Sequence, residues 1–124
     1  MIKKKILFIE DEPDQVMMIQ IRLEASGLEM ICASDGQEGL LKAKKENPDL
    51  ILLDLLLPKM NGYEVCKELK QDSLTRKIPI IIITGSGTKD IEEKCLAAGA
   101  DACIKKPYDS KELVARIKSL LGAT

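Results

Sequence analysis

The chain has 124 residues, of which 45% are hydrophobic, and its formal net charge is −1, from 19 basic and 20 acidic residues. These values are typical of one folded domain spanning 1–124, and they exclude a disordered tail and a strongly basic nucleic-acid or membrane-surface binder. No apolar run is long enough to span a membrane, and the start MIKKKILFIEDE reaches acidic residues too early for a signal peptide. We therefore expect a cytoplasmic protein with no direct contact with nucleic acid or membrane.

The four cysteines are scattered and never form a C-x-x-C motif, and the chain has no histidine. A zinc site would need all four cysteines to converge, and no His-based general base or catalytic triad can form. Each cysteine has apolar neighbours, which favours reduced side chains that act as small hydrophobes. The four are Cys32, Cys66, Cys95 and Cys103.

The first half of the chain alternates short apolar runs with segments that carry helix signals. Pro13 at a first helical position and Gly27 as a stop predict a first helix, and Asp35 with Glu38 forms a capping-box pattern for a second helix that ends before Pro48. The predicted elements of this half are, in order, a strand over 4–10, a helix over 13–26, a strand over 28–34, a helix over 35–47 and a strand over 49–54.

The second half continues the same alternation. Asn61 with Glu64 can cap a third helix, Gly99 ends a fourth, and Asp109 with Glu112 at the third helical position predicts the start of a fifth. The predicted elements of this half are a helix over 62–72, a strand over 78–85, a helix over 88–99, a strand within 100–107 and a helix that begins after 109.

Five predicted strands alternate with five predicted helices, and the strands are continuous Ile/Leu runs without polar alternation. Such strands are covered on both faces, which predicts a parallel, doubly wound α/β sheet with right-handed crossovers. In such sheets functional groups gather beyond the carboxyl ends of the strands. The side chains at those ends are Glu10, Asp11, Asp54, Thr84 and Lys106.

This set places three carboxylates beside one hydroxyl and one ammonium group. Two carboxylates about 4 Å apart repel by on the order of 4 kcal/mol at an effective dielectric constant of about 20, and one lysine offsets only part of this. An all-oxygen site of this kind suits Mg²⁺, and Mn²⁺ can substitute for it. A carboxylate in such a site can act as a nucleophile in phosphoryl transfer, with Lys106 and Thr84 contacting the phosphoryl oxygens.

Four motifs, in this order and spacing, resemble the response-regulator receiver domain: FIEDEPD, LILLDLLLPKMNGYEV, IIIITG and KKP. The resemblance covers essentially the whole chain and implies the strand order 2-1-3-4-5. It also implies that Asp54 takes a phosphoryl group, in a Mg²⁺-dependent reaction, from a sensor histidine kinase or a histidine phosphotransfer protein. The domain then signals by a conformational change to a target protein or a C-terminal output domain, and turns over no external substrate.

The resemblance also assigns roles within the site. Asp11 is implied to bind the metal directly and Glu10 through its waters, while Asp54 and the carbonyl group of Leu56 supply further oxygens. Thr84 is implied to be the switch hydroxyl. Lys106 is implied to be the lysine of the family, whose following peptide bond to Pro107 is cis.

Three other protein classes share part of this pattern. A flavodoxin-like cofactor binder needs a Gly/Ser/Thr-rich phosphate loop where this chain has EDEPD, and a haloacid-dehalogenase-type phosphatase needs a second Asp where this chain has Leu56. A receiver-like interaction module that acts without phosphorylation stays open as the alternative. The presence of Asp11, Asp54, Thr84 and Lys106 argues against it.

Two features depart from the receiver pattern. The family usually carries an aromatic residue three positions before the lysine, where this chain has Cys103, so we expect the loop 85–88 and the start of the fourth helix to carry more of the switch than the fifth strand. The first helix also has more apolar positions than one buried face needs. If Ile19 and Leu23 face the sheet, Met17 and Ile21 point away from it and form a docking strip. The alternative is that the sheet is long enough to bury the apolar side chains of this helix.

Overall fold

The computed structural model describes residues 3–85 and 90–122. Within these residues a parallel sheet has the strand order β2-β1-β3-β4-β5, as the sequence predicted. The strands are β1 (Lys5–Ile9), β2 (Glu29–Ala33), β3 (Leu50–Asp54), β4 (Ile80–Thr84) and β5 (Ala102–Lys105). The helices are α1 (Pro13–Ala25), α2 (Gly36–Glu46), α3 (Gly62–Gln71), α4 (Asp90–Ala97) and α5 (Ser110–Leu120). The predicted start of the fourth helix at 88 lies outside the described residues.

The helix starts follow the capping residues in the sequence. The Asp35 carboxylate accepts a 2.8 Å hydrogen bond from the amide of Glu38, which satisfies an amide that has no partner within α2. Asp109 is the N-cap of α5, but its carboxylate accepts from the amide of Lys111 at 2.8 Å. The prediction that Asp109 caps the fifth helix, with Glu112 at the third helical position, is confirmed, and the amide that the short Asp side chain binds is that of the second position.

The sheet separates two apolar clusters. On one face α1 and α5 pack through buried Ile19, Leu23, Leu113 and Ile117. On the other face the packing residues of α2, α3 and α4 include Ala43, Val65, Cys66, Leu69, Ile91 and Cys95. Because both faces are covered, the strands can be uniformly apolar, and β3 and β4 are buried along their whole length.

Gly62 allows α3 to begin directly against the end of β3. A β-carbon at this position would lie 2.8 Å from the carbonyl oxygen of Asp54 and 2.8 Å from the Cα of Leu55, and both of these are backbone atoms that cannot move aside easily. The amide of Gly62 also donates a 2.8 Å hydrogen bond to the carbonyl of Leu55. The loop that follows Asp54 is thereby held at a fixed position.

Helix α1 buries one side and exposes another. Ile19 and Leu23 are buried against the sheet, whereas Met17, Met18 and Ile21 are 61%, 58% and 60% exposed. The alternative in which the sheet buries all the apolar side chains of this helix was therefore wrong. The exposed strip expected from the sequence is present. No helix in the described part of the chain is long and apolar enough to cross a membrane.

Candidate functional site

The predicted site residues lie at one edge of the sheet, because parallel strands all end there. β3 is central, with β1 on one side and β4 on the other. Asp54 and Thr84 are the last residues of β3 and β4, whereas Glu10 and Lys106 follow the last residues of β1 and β5. The fold therefore brings together residues that are up to 96 positions apart in the sequence, between Glu10 and Lys106.

Asp54 is 6% exposed, and both of its carboxylate oxygens have partners. Oδ1 accepts a 2.8 Å hydrogen bond from the backbone amide of Leu56, and Oδ2 lies 3.0 Å from Nζ of Lys106. Burying an unpaired carboxylate is costly, and these two contacts offset that cost. They also fix the orientation of the carboxylate at the edge of the sheet.

Glu10 is a second buried acid, 4% exposed, and shares the same lysine. Its Oε1 lies 3.9 Å from Nζ of Lys106, and its Oε2 accepts hydrogen bonds from the amides of Asp11 at 3.0 Å and Glu12 at 3.4 Å. Burial raises the pKa of Glu10 to about 8, and the hydrogen bond and charge of Asp54 and a hydrogen bond with Asp11 add to the shift. Glu10 thus resists ionising beside Asp54, and in the part of the chain that the structure describes Lys106 is the cation within 4 Å of both.

Asp11 and Leu56 lie at the rim of this cluster. The Asp11 side chain is exposed, and Leu56 is 77% exposed, so neither side chain contributes to the core. Across residues 3–85 and 90–122, no group of three acidic or cysteine side chains has the arrangement of a complete metal site. The structure brings Glu10, Asp54 and Lys106 together and leaves Asp11 beside them, facing solvent.

The oxygen donors at this edge fit a hard divalent cation. Two buried carboxyl groups, one exposed carboxylate and the peptide carbonyls after β3 supply only oxygen ligands, and Lys106 is the cation already within 4 Å of both buried groups. Burial is the main cause of the raised pKa of Glu10 and the charge of Asp54 adds to it, so holding these acids together as carboxylates has a cost. A small ion that accepts carboxylate and water ligands would relieve it.

Thr84 and Lys106 complete the edge on the side of β5. Thr84 is 1% exposed, and its carbonyl accepts a 2.7 Å hydrogen bond from the amide of Lys106. The peptide bond between Lys106 and Pro107 is cis, as the resemblance implied. The switch loop expected at 85–88 lies outside the described residues except for Gly85.

Two contacts near the site were not predicted from the sequence. Tyr108 lies close enough that burial and the charges of Glu10 and Asp54 raise its pKa. Cys103, at the position where an aromatic residue was expected, faces α4, and its Sγ lies 3.3 Å from Sγ of Cys95. Because Tyr108 follows Lys106 by two residues, the sequence could have placed it near the site. The spacing of eight residues between the two cysteines matches no motif, so their contact could not have been predicted.

Known proteins share this architecture. The family model described as the response regulator receiver domain matches residues 6–118. The alkaline phosphatase synthesis transcriptional regulatory protein PhoP of Bacillus subtilis is 45% identical over 118 residues, which are 95% of this chain and 48% of that protein. The phosphate regulon transcriptional regulatory protein PhoB of Pseudomonas aeruginosa is 42% identical over 124 residues, which are 100% of this chain and 54% of that protein. The chain thus spans about half the length of these relatives.

Solved structures agree closely with the fold. A CheY-like response regulator receiver domain protein from Methanospirillum hungatei superposes with a TM-score of 0.90 at 32% identity, covering 98% of this chain and 95% of that chain. The receiver domain of a sensor histidine kinase from Pseudomonas aeruginosa PAO1 superposes with a TM-score of 0.90 at 29% identity, covering 98% and 100%, and holds a magnesium ion in its active site cleft. From the matched residues, the strand order and these likenesses, the chain belongs to the response regulator receiver domain family of two-component signalling.

Proposed function

We propose that Asp54 is the phosphoacceptor of this receiver. The observation that carries the proposal is the placement of its carboxylate, buried at the edge of the sheet with one oxygen held by the Leu56 amide and the other by Lys106. In the reaction a bond forms between an Asp54 oxygen and phosphorus while the phosphorus–nitrogen bond of a phosphohistidine breaks. The histidine leaves with the bonding electron pair, and hydrolysis later releases phosphate. No external substrate is turned over, so the domain is not an enzyme in the usual sense.

The charged and polar neighbours of Asp54 divide the remaining work. Glu10, Asp11, Asp54 and the carbonyl of Leu56 would hold Mg²⁺, and Mn²⁺ would substitute because it accepts the same ligands. The bound ion supplies positive charge to the transferred phosphoryl oxygens. Lys106, already 3.0 Å from Asp54, adds a second cation, and Thr84 provides a hydroxyl at the end of the adjacent strand.

The exposed strip of α1, formed by Met17, Met18 and Ile21, is the proposed docking surface for the phosphodonor, a sensor histidine kinase or a histidine phosphotransfer protein. Met17 lines the same surface cavity as Glu10 and Asp11, and Met18 lines another with Lys106, so a partner bound there would reach the site. Flexible methionines are suited to such contacts. The domain would act in the cytoplasm as one unit over 1–124, without binding nucleic acid or membrane itself, through a target protein or an output domain.

The acceptor is tested by intact-mass measurement. After incubation with Mg²⁺ and acetyl phosphate, the protein should gain the mass of one phosphoryl group, and Asp54→Asn should gain none. Asp90→Asn changes an exposed aspartate on α4 and should label as the unmodified protein does. Stoichiometric labelling of Asp54→Asn would show that another residue is the acceptor. Removing Mg²⁺ with a chelator should strongly suppress labelling, because the carboxylates are then uncompensated.

A further inference from the structure

Cys95 and Cys103 form a pair of thiols in direct contact between a helix and a strand. Their Sγ atoms are 3.3 Å apart, and a disulfide needs about 2.05 Å, so an approach of roughly 1 Å would allow a bond. The other two cysteines are placed differently. Cys32 is exposed on β2, at the opposite edge of the sheet from β5, and Cys66 is buried in α3.

The two thiols differ in accessibility in a way that favours stepwise oxidation. Cys103 is half-buried, and so reaches solvent, whereas Cys95 is completely buried. A soluble oxidant therefore reaches Cys103 before Cys95. The buried Cys95 is then in position to react with the modified Cys103 from the protein interior. This is the usual relation between an attacked cysteine and a resolving cysteine.

The pair lies between α4 and β5, where a covalent bond would join the helix to the sheet. α4 is short, and among its residues Ile91 and Cys95 are the buried ones that pack it on the sheet. Cys103 pairs in register with Ile82 of β4, and Thr84 lies two residues further along the same face of that strand. A bond between the two sulfurs would convert one of the two anchors of α4 into a covalent link to β5.

We propose that Cys95 and Cys103 are a redox modification site, which a low-molecular-weight disulfide converts into a reversible disulfide that fixes α4 to β5. The Cys103 thiolate attacks one sulfur of the small disulfide, whose bond breaks, and a mixed disulfide forms as one small thiol leaves. Cys95 then loses its proton and attacks Sγ of Cys103, and the second small thiol leaves. Two protein thiols are oxidised by two electrons, the small disulfide is reduced to two thiols, and the two protons pass to those thiols.

The surroundings of Cys95 affect how readily the second step follows the first. Burial raises the pKa of Cys95 to about 12, and the hydrogen bond and charge of Cys103 add to the shift. Once Cys103 is in a mixed disulfide it can no longer ionise beside Cys95, so both contributions of Cys103 are removed, while burial and the smaller effects of Cys66 and Glu92 remain, and Cys95 becomes a better nucleophile. The second step therefore follows the first more readily than the resting thiol would indicate.

The test uses the full chain, oxidised glutathione as the oxidant and N-ethylmaleimide to block remaining thiols. After unfolding, treated Cys32→Ser protein, which lacks the exposed thiol, should carry two fewer N-ethylmaleimide groups than its reduced form, and peptide mapping of the original protein should find 95 linked to 103. Cys32→Ser, a change at the exposed thiol, should leave this link intact, and Cys103→Ser should abolish it. Dithiothreitol should restore all four thiols.

The structural effect is measured by amide hydrogen exchange over 90–97. Exchange in this segment should slow in the linked protein and return to its original rate on reduction, because opening α4 then strains the bond. A stable glutathione adduct on Cys103, a link from Cys103 to Cys32 or Cys66, or an intermolecular dimer would overturn the proposal. Unchanged exchange over 90–97 in protein shown to carry the 95–103 link would overturn the fixing of α4.

Discussion

The backbone amide of Leu56 donates a 2.8 Å hydrogen bond to Oδ1 of Asp54, two residues earlier in the chain. The Leu56 side chain meanwhile is 77% exposed, so this residue acts on the site through its backbone. A closely placed amide that holds a carboxylate in one orientation leaves fewer rotamers to be ordered during reaction. This hydrogen bond also predicts different effects for two substitutions of Leu56, one that removes the backbone amide donor and one that keeps it.

Leu56→Pro should slow the labelling of Asp54 by acetyl phosphate, and Leu56→Ala should not. Proline removes the donor, and a hydrogen bond to a charged group contributes about 1.5–3 kcal/mol, or roughly 10- to 100-fold in rate. Alanine keeps the amide and removes an exposed side chain, which changes stability by less than about 0.5 kcal/mol. Rates come from intact-mass time courses, with circular dichroism as the check on folding. Equal rates for both variants would show that the amide does not orient Asp54.

Mg²⁺ should stabilise the protein, and Asp11→Ala should remove most of that effect. An ion that binds only the folded state at about a hundredfold excess over its dissociation constant adds about 2.7 kcal/mol to the free energy of unfolding. Asp14→Ala changes another exposed acid on the same loop-to-helix segment and should keep the full effect. Denaturant titrations with Mg²⁺ or a chelator give the values. If Asp11→Ala responds as strongly as Asp14→Ala, Asp11 is not a ligand.

The combined change Met17→Ala and Ile21→Ala should slow phosphotransfer from a phosphohistidine-carrying protein by about tenfold or more, since exposed apolar residues that anchor an interface are costly to truncate. Labelling by acetyl phosphate should stay the same, because the small donor needs no docking surface. Leu41→Ala with Leu74→Ala truncates two leucines of similar exposure elsewhere and serves as the matched control. A parallel loss with acetyl phosphate would indicate damage to the site and would contradict a docking role.

Asp72 should make stability depend on pH in acid. The Leu74 amide, donating at 2.8 Å, and the Lys44 ammonium, 3.1 Å away, hold the pKa of Asp72 below its ordinary value of 3.8. A pKa lowered on folding contributes stability above 3.8, and this contribution is lost as the pH falls through the folded-state pKa. The difference in unfolding free energy between the original protein and Asp72→Asn should therefore shrink with falling pH in that range.

The control for this dependence is Lys44→Met, which removes only the second cause of the shift. The acid dependence of Lys44→Met should lie closer to that of the original protein than the acid dependence of Asp72→Asn does, because the carboxylate and the Leu74 amide, the largest single cause of its lowered pKa, both remain. Urea titrations over the acid range measure all three proteins. A pH dependence in Asp72→Asn identical to that of the original protein would exclude Asp72 as its source.

The features that were predictable from the sequence rest on local or periodic signals. Continuous Ile runs such as 80–83 indicate buried parallel strands, and Asp35 and Asn61 are N-caps whose side chains accept the bonds that their spacing predicts. The position of Asp54 followed from the rule that parallel strands end at one edge. These inferences need no knowledge of side-chain orientation.

The features that were not predictable depend on the rotation of side chains. No sequence spacing shows that Sγ of Cys95 meets Sγ of Cys103, because that contact depends on how α4 lies on β5. The same holds for the Asp109 carboxylate, which accepts its hydrogen bond from the backbone amide of Lys111 and not from that of Glu112. The Leu56 amide could be placed near Asp54 by chain proximity, but not assigned to Oδ1.

The contact between Lys106 and Asp54 joins residues 52 positions apart, and Lys106 directly follows β5, an outer strand of the sheet. A ribosome makes the chain from its N-terminus, so Glu10, Asp11 and Asp54 are synthesised well before Lys106, and domains fold as units during synthesis. A nascent chain that ends before β5 has every acid of the site and lacks the lysine that offsets part of their repulsion. If Asp54 is the proposed phosphoacceptor, we therefore expect it to react only in chains in which β5 and Lys106 have been made and added to the sheet.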